Sequence, residues 1–310
     1  MTRTQHHPAL RPRRRLVPGI SLRHQLALCA LLAPYLIGSV VLIILPLLLT
    51  APLALTSYDG LSPPRWVGLG NLRALPGNPL FTTALRNSLL FTALLVPLRV
   101  TAALALALLL RRARRGVALY RTAIYVPTII PGVAYALIWL WVLNPIYGPL
   151  NALLAAIGLP APAWLTDPAT ALPALVLAGL FQLGESFVVL LAGLDAIPAE
   201  YDQAAEIDGA GRWQRLTAIT LPLLAPWLLL TTMRELIASA QSNFTPAMLM
   251  TGGGPYYATL FLPQLIYEVS FDRLRFGQGA AMTLVGLLGL AATLALLYGL
   301  VGGWGYDDEV

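Results

Sequence analysis

Several stretches of this chain run for about 20 residues or more with few polar groups, the length a helix needs to cross the hydrocarbon core of a bilayer. No other property limits the fold as tightly. Charged residues make up 11% of the 310, against roughly 25% in soluble chains. The mean hydropathy is +0.72. The chain therefore reads as all-α, a polytopic helical membrane protein with about six transmembrane helices.

A net charge of +6 and a pI near 9.7 would suggest nucleic acid in a soluble protein. Here the basic residues cluster in short segments beside the apolar runs, so the expected partner is the lipid bilayer, with no nucleic acid. All 20 basic residues are arginine, and the chain has no lysine. Without lysine there is neither a Walker A site nor a Schiff-base amine. Cys29 is the only cysteine, which excludes an intrachain disulfide and a cysteine-based metal site. His6, His7 and His24 all lie in the N-terminal tail, leaving no histidine for catalysis or metal binding within the membrane. No cofactor and no metal are expected, and no catalytic residues are assigned.

Residues 1–25 form a basic tail carrying Arg3, Arg11, Arg13, Arg14, Arg15 and Arg23. The run from Leu26 to Leu55 is too long for a signal-peptide core and is read as an uncleaved first span, kinked near Pro34 or Pro46. A Pro-, Gly- and Asn-rich loop covers Thr56 to Arg86. Span two is placed at Asn87 to Leu110, followed by a tight basic loop with Arg111, Arg112, Arg114 and Arg115, then Arg121. Span three covers about 118–143, with Pro127 and Pro131 as kinks. The loop at 144–168 is expected to hold a short helix from Leu150 to Ile157. Span four is 169–194, span five 221–250 and span six 277–300, with a mixed segment from Tyr256 to Phe276 before the last. The transmembrane body is thus 26–304, ahead of an acidic tail at 305–310. Positive charge marks the cytoplasmic side, so both termini and the segment after span four should be cytoplasmic.

That segment, about 198–222 and running on to Pro226, is the longest polar-rich stretch between two apolar runs. Glu200, Tyr201, Asp202, Ala204, Ala205, Glu206 and Ile207 suit a short helix. Gly209-Ala210-Gly211 breaks it, because glycine tolerates the backbone angles that end a helix. Trp213, Leu216 and Ile219 then recur at helical spacing and are expected to hold a second helix against the spans. A charged amphipathic hairpin of this kind suits a docking surface.

Four ionisable residues fall inside predicted spans: Arg99, Glu185, Arg234 and Glu235. Each costs roughly 2.5 to 3.5 kcal/mol at mid-helix unless it finds a partner or water. At about 1.5 Å per residue, all four lie ~14 to 18 Å from the cytoplasmic ends of their spans. A buried network joining spans two, four and five is one reading; residues facing a water-filled cavity are the other. Gln182, Glu185 and Ser186 in span four are candidates to line a solute path, while single polar residues in membrane helices also suit interhelical hydrogen bonds. The patch Gln241, Ser242, Asn243 and Thr245 in span five is dense enough to line a path for a polar solute. Tyr135, Trp139 and Trp141 of span three offer flat surface to a sugar ring, though Trp139 and Trp141 also suit an interfacial belt.

Gln203-Ala204-Ala205, Gly209, Ile219 and Leu221-Pro222 match the spacing EAA-x3-G-x9-I-x-LP. This resembles the signature of membrane subunits of binding-protein-dependent ABC importers, with Gln203 in place of the first Glu. WVGLGNLRAL from Trp66, TGGGP at Thr251 to Pro255, Phe276-Gly277 and the ending Gly305-Tyr306-Asp307-Asp308 are similar to the sugar-transporting branch. The resemblance is to the larger permease of maltose, glycerol-3-phosphate and multiple-sugar importers.

It implies a multi-pass protein of the bacterial inner membrane and a non-catalytic role. The implied partners are a second permease of the same family, two cytosolic ATP-binding subunits and an external solute-binding protein, with ATP used by the partner chains. The hairpin would couple to the ATPase through Glu200, Tyr201, Gln203, Ala204, Ala205, Asp208, Gly209, Ile219, Leu221 and Pro222. An alternative reading is a secondary transporter or channel that uses Arg99, Glu185, Arg234 and Glu235 to move ions; it leaves the hairpin without a role.

Overall fold

A computed structural model describes residues 22–112 and 115–301 of the chain. The basic tail to residue 21, Arg114 and the 305–310 tail lie outside the described residues, as do the side chains of Arg23 and His24. The chain divides into two compact units, one ending at Leu49 and the other beginning at Thr50. Among the described residues the secondary structure is helical apart from two two-residue strands, β1 (Thr56–Ser57) and β2 (Arg65–Trp66), paired antiparallel.

Helix α1 spans 22–54 and includes the apolar stretch Ala27–Ala54. A π-helical turn, Val40–Ile44, interrupts it between Pro34 and Pro46, where a proline kink was expected. Such turns insert one residue into the helical ladder and shift its face. The short helix α2 (Gly70–Ala74) follows the strands.

Helix α3 (Pro79–Leu110) is 32 residues long and begins eight residues before the expected span. Its start is set locally. The Asn78 side chain accepts from the N–H groups of Leu80 and Phe81, and Pro79 occupies the first turn, where its missing N–H costs nothing. Arg86, expected in the preceding loop, therefore lies inside the helix.

Spans three and four are each broken. Helices α4 (Val117–Ile129) and α5 (Gly132–Val142) meet at 104°, a turn far sharper than a kink. Pro131 pushes Ile130 to extended geometry, with φ −67° and ψ 127°, and ends α4 there. Helix α6 (Pro149–Ala156) is the short helix of the following loop. Helices α7 (Pro168–Leu180) and α8 (Gly184–Ala196) meet at 48° across residues 181–183. Asp167 caps α7 by accepting from the Ala169 N–H.

Helix α9 (Ala199–Ile207) and the first turns of α10 (Arg212–Thr251) form the hairpin. Span five is therefore longer than expected, because the second hairpin helix runs into it without a stop. Helix α11 (262–272) lies within the mixed segment before the last span, and its Leu262, Leu265 and Val269 are core residues. Helix α12 (Phe276–Val301) closes the described chain.

Among the described residues, four helices are long and apolar enough to cross a membrane, and the two bent pairs bring the total to six if each pair is one span. Within the second unit, α3 is the spine. Phe81 and Ala84 near its start pack with Leu265, Ala281 and Met282. Phe91 and Leu95 pack with Ala136, Leu175 and Phe261. Ala103, Ala107 and Leu110 pack with Phe187, Leu190 and Leu224. Alanines on this last stretch let α8 approach closely, the usual basis of helix packing in lipid, where burial supplies little net drive.

Candidate functional site

Two polar regions of the second unit are built from residues singled out in the sequence: a charged cluster where α3, α8 and α10 meet, and the hairpin at the end of those helices.

In the cluster, Arg99 of α3 is 5% exposed and Glu235 of α10 is 1% exposed. Arg99 Nη1 lies 2.9 Å from Glu235 Oε2, and Arg99 Nε donates to the Gly179 carbonyl at 2.7 Å. That carbonyl lies in the last turn of α7, just before the break in span four, and also accepts from the Gln182 N–H at 3.2 Å. The other Glu235 oxygen accepts from Ser186 Oγ and from Arg234 Nη1, the latter at 3.1 Å. Arg234 also pairs with Glu185. One chain of contacts thus runs Gly179–Arg99–Glu235–Arg234–Glu185, with two of its ends on either side of the same helix break.

Burial grades along the chain. The Arg99 and Glu235 side chains are enclosed, whereas those of Arg234 and Glu185 are 40% and 44% exposed. Of the two readings for these four residues, a network or a water-filled cavity, the contacts bear on the first: they link all four side chains, as one enclosed pair and one half-exposed pair.

Other polar side chains of α3 escaped the sequence reading. Asn87 Nδ2 donates to the carbonyls of Tyr257 and Leu260 at 2.8 and 3.1 Å. Ser88 Oγ accepts from the Leu262 N–H at 2.9 Å, and Thr92 Oγ1 meets Ser239 Oγ at 2.8 Å. The Asn87 and Ser88 contacts tie the segment leading into α11 to the spine, and the Thr92 contact ties α10 to it. The available signal was Asn87-Ser88 followed by Thr92, a polar turn within an otherwise apolar helix.

The expected solute-path residues separate. Tyr135 is buried, and its hydroxyl donates to the Ala178 carbonyl at 2.6 Å. Asn243 is 1% exposed, and neither its Oδ1 nor its Nδ2 has a partner among the described residues. A cavity of ≈20 Å³ lies between them, lined also by Phe91, Leu175 and Phe261. Gln241 is exposed, Gln182 sits half-buried in the break of span four, and Thr245 is half-buried. The Ser242 side chain lies outside the described residues. Trp139 stacks at 5.2 Å from Phe181 and packs with the second core cluster, while Trp141 is exposed.

In the hairpin, Gly209 has φ +81°, the left-handed geometry that closes a helix. The Gly209 N–H reaches Glu206 O at 3.2 Å and the Ala210 N–H reaches Ala205 O at 2.9 Å. Gln214 Oε1 accepts from the Gly211 N–H at 2.8 Å and starts the second helix. Arg215 pairs with Glu206 at 3.4 Å across the turn, and Arg111 at the end of α3 pairs with Asp202 at 3.7 Å. Arg121 Nη2 caps α3 by donating to the carbonyls of Leu110 and Arg111.

Glu200, Tyr201, Gln203, Ala204 and Asp208 are exposed and Ala205 is half-buried; Ile219, Leu221 and Pro222 are half-buried. The expectation for Trp213 needs correcting. It is 72% exposed, so it does not hold the second helix against the spans. Leu216 and Ile219, half-buried one and two turns further on, face the bundle instead. Because α10 projects beyond the bundle, its first turn carries its apolar face into the open. Ile207, 87% exposed, and Tyr201 add to this apolar surface.

With this geometry in hand, the chain can be compared with known proteins. Residues 99–302 match the family described as binding-protein-dependent transport system inner membrane component. A probable ABC transporter permease protein, YesP, from Bacillus subtilis (strain 168) is 34% identical over 281 residues, covering 89% of this chain and 90% of its own. The diacetylchitobiose uptake system permease protein NgcF from Streptomyces coelicolor is 31% identical over 266 residues, covering 80% of this chain and 75% of its own. The bacterial alginate ABC transporter, crystallised with a periplasmic protein bound to alginate pentasaccharide, contains a chain that superposes with a TM-score of 0.76 at 21% identity. It covers 90% of this chain and 94% of that one, a likeness of fold.

Proposed function

The chain belongs to the binding-protein-dependent transport system inner membrane components, and from that premise we propose that it is the membrane-spanning permease of an ATP-driven carbohydrate importer in a bacterial inner membrane. The observation that carries the reading is the hairpin. It is a folded, outward-facing element with an acidic face, three exposed large apolar side chains and the EAA spacing, with ion pairs to the ends of α3 and α10. A surface of this kind fits a cleft on a partner. Because the chain has no lysine, the ATP site belongs to two separate cytosolic subunits, and this chain needs no cofactor of its own. A second, related permease completes the pore, and an external binding protein delivers the solute.

The orientation follows from the arginines: hairpin and termini in the cytosol, the β1–β2 loop and the segment before α12 outside. The helix breaks at Pro131 and at 181–183 give α5 and α8 independent ends around the path. Asn243 marks that path. Leaving a buried amide without partners costs about 1–3 kcal/mol, so its retention fits a group that meets a hydroxyl-rich solute when the cavity beside it widens. Closure of the ATPase pair would move the docked hairpins and rock the spans around that point. Carbohydrate fits this chemistry, as it does the relative named for diacetylchitobiose.

The test is to purify the complex through this chain and identify by mass spectrometry what its binding protein carries, then measure uptake of that solute by an Asn243→Leu variant. A carbohydrate is expected, with uptake reduced at least about tenfold in a variant that still assembles, the scale of a lost hydrogen-bond pair in a desolvated site. A bound amino acid, metal or oxyanion overturns the carbohydrate assignment, and unchanged uptake removes Asn243 from the path.

A further inference from the structure

At the end of the second unit opposite the hairpin lies a polar cleft that no step above uses. Its position follows from α12. The far end of that helix, at Leu297 and Leu300, lines a groove with Thr217 and Leu221 next to the hairpin. Its first residue, Phe276, is roughly 32 to 36 Å away at about 1.5 Å per residue. The cleft, ≈410 Å³, lies between the β1–β2 loop and the start of α12, and its lining includes Asp59, Ser62, Arg65, Asn71, Arg275 and Gln278.

The two walls are fastened together. Asn71 Nδ2 donates to the carbonyls of Ala54 and Thr56 at 2.9 and 2.8 Å. The Gly277 N–H reaches Tyr58 O at 3.4 Å, and a Cβ at 277 would collide with the Thr56 carbonyl oxygen. The Tyr58 and Phe276 rings pack 5.8 Å apart. This is a built cavity with a held floor.

Its charge is unbalanced. Asp59 directs its carboxylate at its own loop: Oδ1 accepts from the Leu61 and Ser62 N–H groups at 3.0 and 2.7 Å, and Oδ2 from Ser62 Oγ at 3.2 Å. Those bonds, led by the Ser62 N–H, hold its pKa below the usual carboxylate value, so it stays charged and occupied. Arg273 pairs with Glu268. Arg65 and Arg275 are exposed and, among the described residues, have no side-chain hydrogen bond or ion pair. Two unpaired guanidinium forks around a preformed cleft suit a carboxylate, which they can take bidentately.

We propose that this cleft receives an acidic side chain, Asp or Glu, from the external solute-binding protein. This rests on the importer reading above and names where and by what chemistry that partner engages. The solute is assigned to the Asn243 cavity within the bundle, which leaves this outer cleft for the protein that delivers it. Complementary charge at such a rim acts mainly on the rate of encounter and is screened by salt.

The test uses the full complex in nanodiscs with the binding protein that co-purifies with it, its Kd measured by surface plasmon resonance over a series of salt concentrations. Arg65→Gln/Arg275→Gln is expected to weaken binding about tenfold, chiefly through kon, and to flatten the salt dependence. ATPase activity at saturating binding protein should be unchanged. Arg65→Lys/Arg275→Lys should recover part of the affinity, which a purely structural role would not allow. Unchanged Kd in the glutamine variant overturns the proposal while leaving the importer reading intact. If only the KM for solute shifts, the cleft reads an anionic solute and the docking assignment is wrong. Failure of the wild-type complex to bind any external protein overturns both.

Discussion

Glu235 and Glu185 sit in one contact chain but should answer differently to the same substitution. The Glu235 side chain is 2% exposed and holds Arg99, Ser186 and Arg234, so removing it leaves the Arg99 charge buried opposite nothing. Breaking one side of a buried pair costs about 3–5 kcal/mol. Glu235→Ala should therefore lower assembly yield and thermal stability sharply, while the paired replacement Arg99→Met/Glu235→Leu should recover most of the loss. Glu185 and Arg234 are both at least two-fifths exposed, and Arg234 keeps Glu235 as a partner when Glu185 is neutralised. Glu185→Gln should leave thermal unfolding of the complex nearly unchanged, and any effect on uptake would then report on function alone. Equal destabilisation by Glu235→Ala and Glu185→Gln would contradict the graded burial.

Among the elements, the hairpin makes the sharpest claim. Gly209 at φ +81° turns α9 back toward α10, and a β-branched residue cannot hold that angle without strain. Gly209→Val, or Asp208→Arg on the exposed face, should separate ATP hydrolysis from uptake while the chain still inserts. The check is the ratio of ATP hydrolysed to solute transported in reconstituted complexes, expected to rise several-fold; normal coupling in both variants would place the docking surface elsewhere.

The element scale also divides what can be read from the sequence from what cannot. Apolar length locates the spans, and the EAA spacing locates the hairpin, because both are local signals. Pro131 announces a bend but not its 104°, which depends on how α5 packs over the second core cluster. The break at 181–183 has no proline, and its Gly179 carbonyl, which accepts from the Gln182 N–H, takes its side-chain partner from Arg99, 80 residues away in sequence. Trp213 was misassigned for a related reason: helical periodicity identifies an apolar face without saying whether the helix still has neighbours on that side. The charged pairs were legible as residues needing partners, whereas the pairing of Arg99 with Glu235 over Glu185 is a matter of packing.

At the scale of the whole protein, the proposed function rests on a division of labour among chains. Family membership favours the importer permease over a secondary transporter or channel built on the buried charges. The enclosed Arg99–Glu235 contact agrees, since its members are engaged with protein groups rather than open to ion traffic. What this chain supplies, on the reading proposed here, is a path, a spine to rock around, and two opposed surfaces: a hairpin for the ATPase and a cleft for the binding protein.

The most direct measurement is uptake of the mass-spectrometrically identified solute into proteoliposomes containing either the whole complex or this chain with its permease partner alone. Solute should accumulate only with the whole complex, binding protein on its side of the membrane and ATP on the other, and it should stop with vanadate. Accumulation driven by an ion gradient in vesicles lacking the ATPase subunits would contradict the permease assignment.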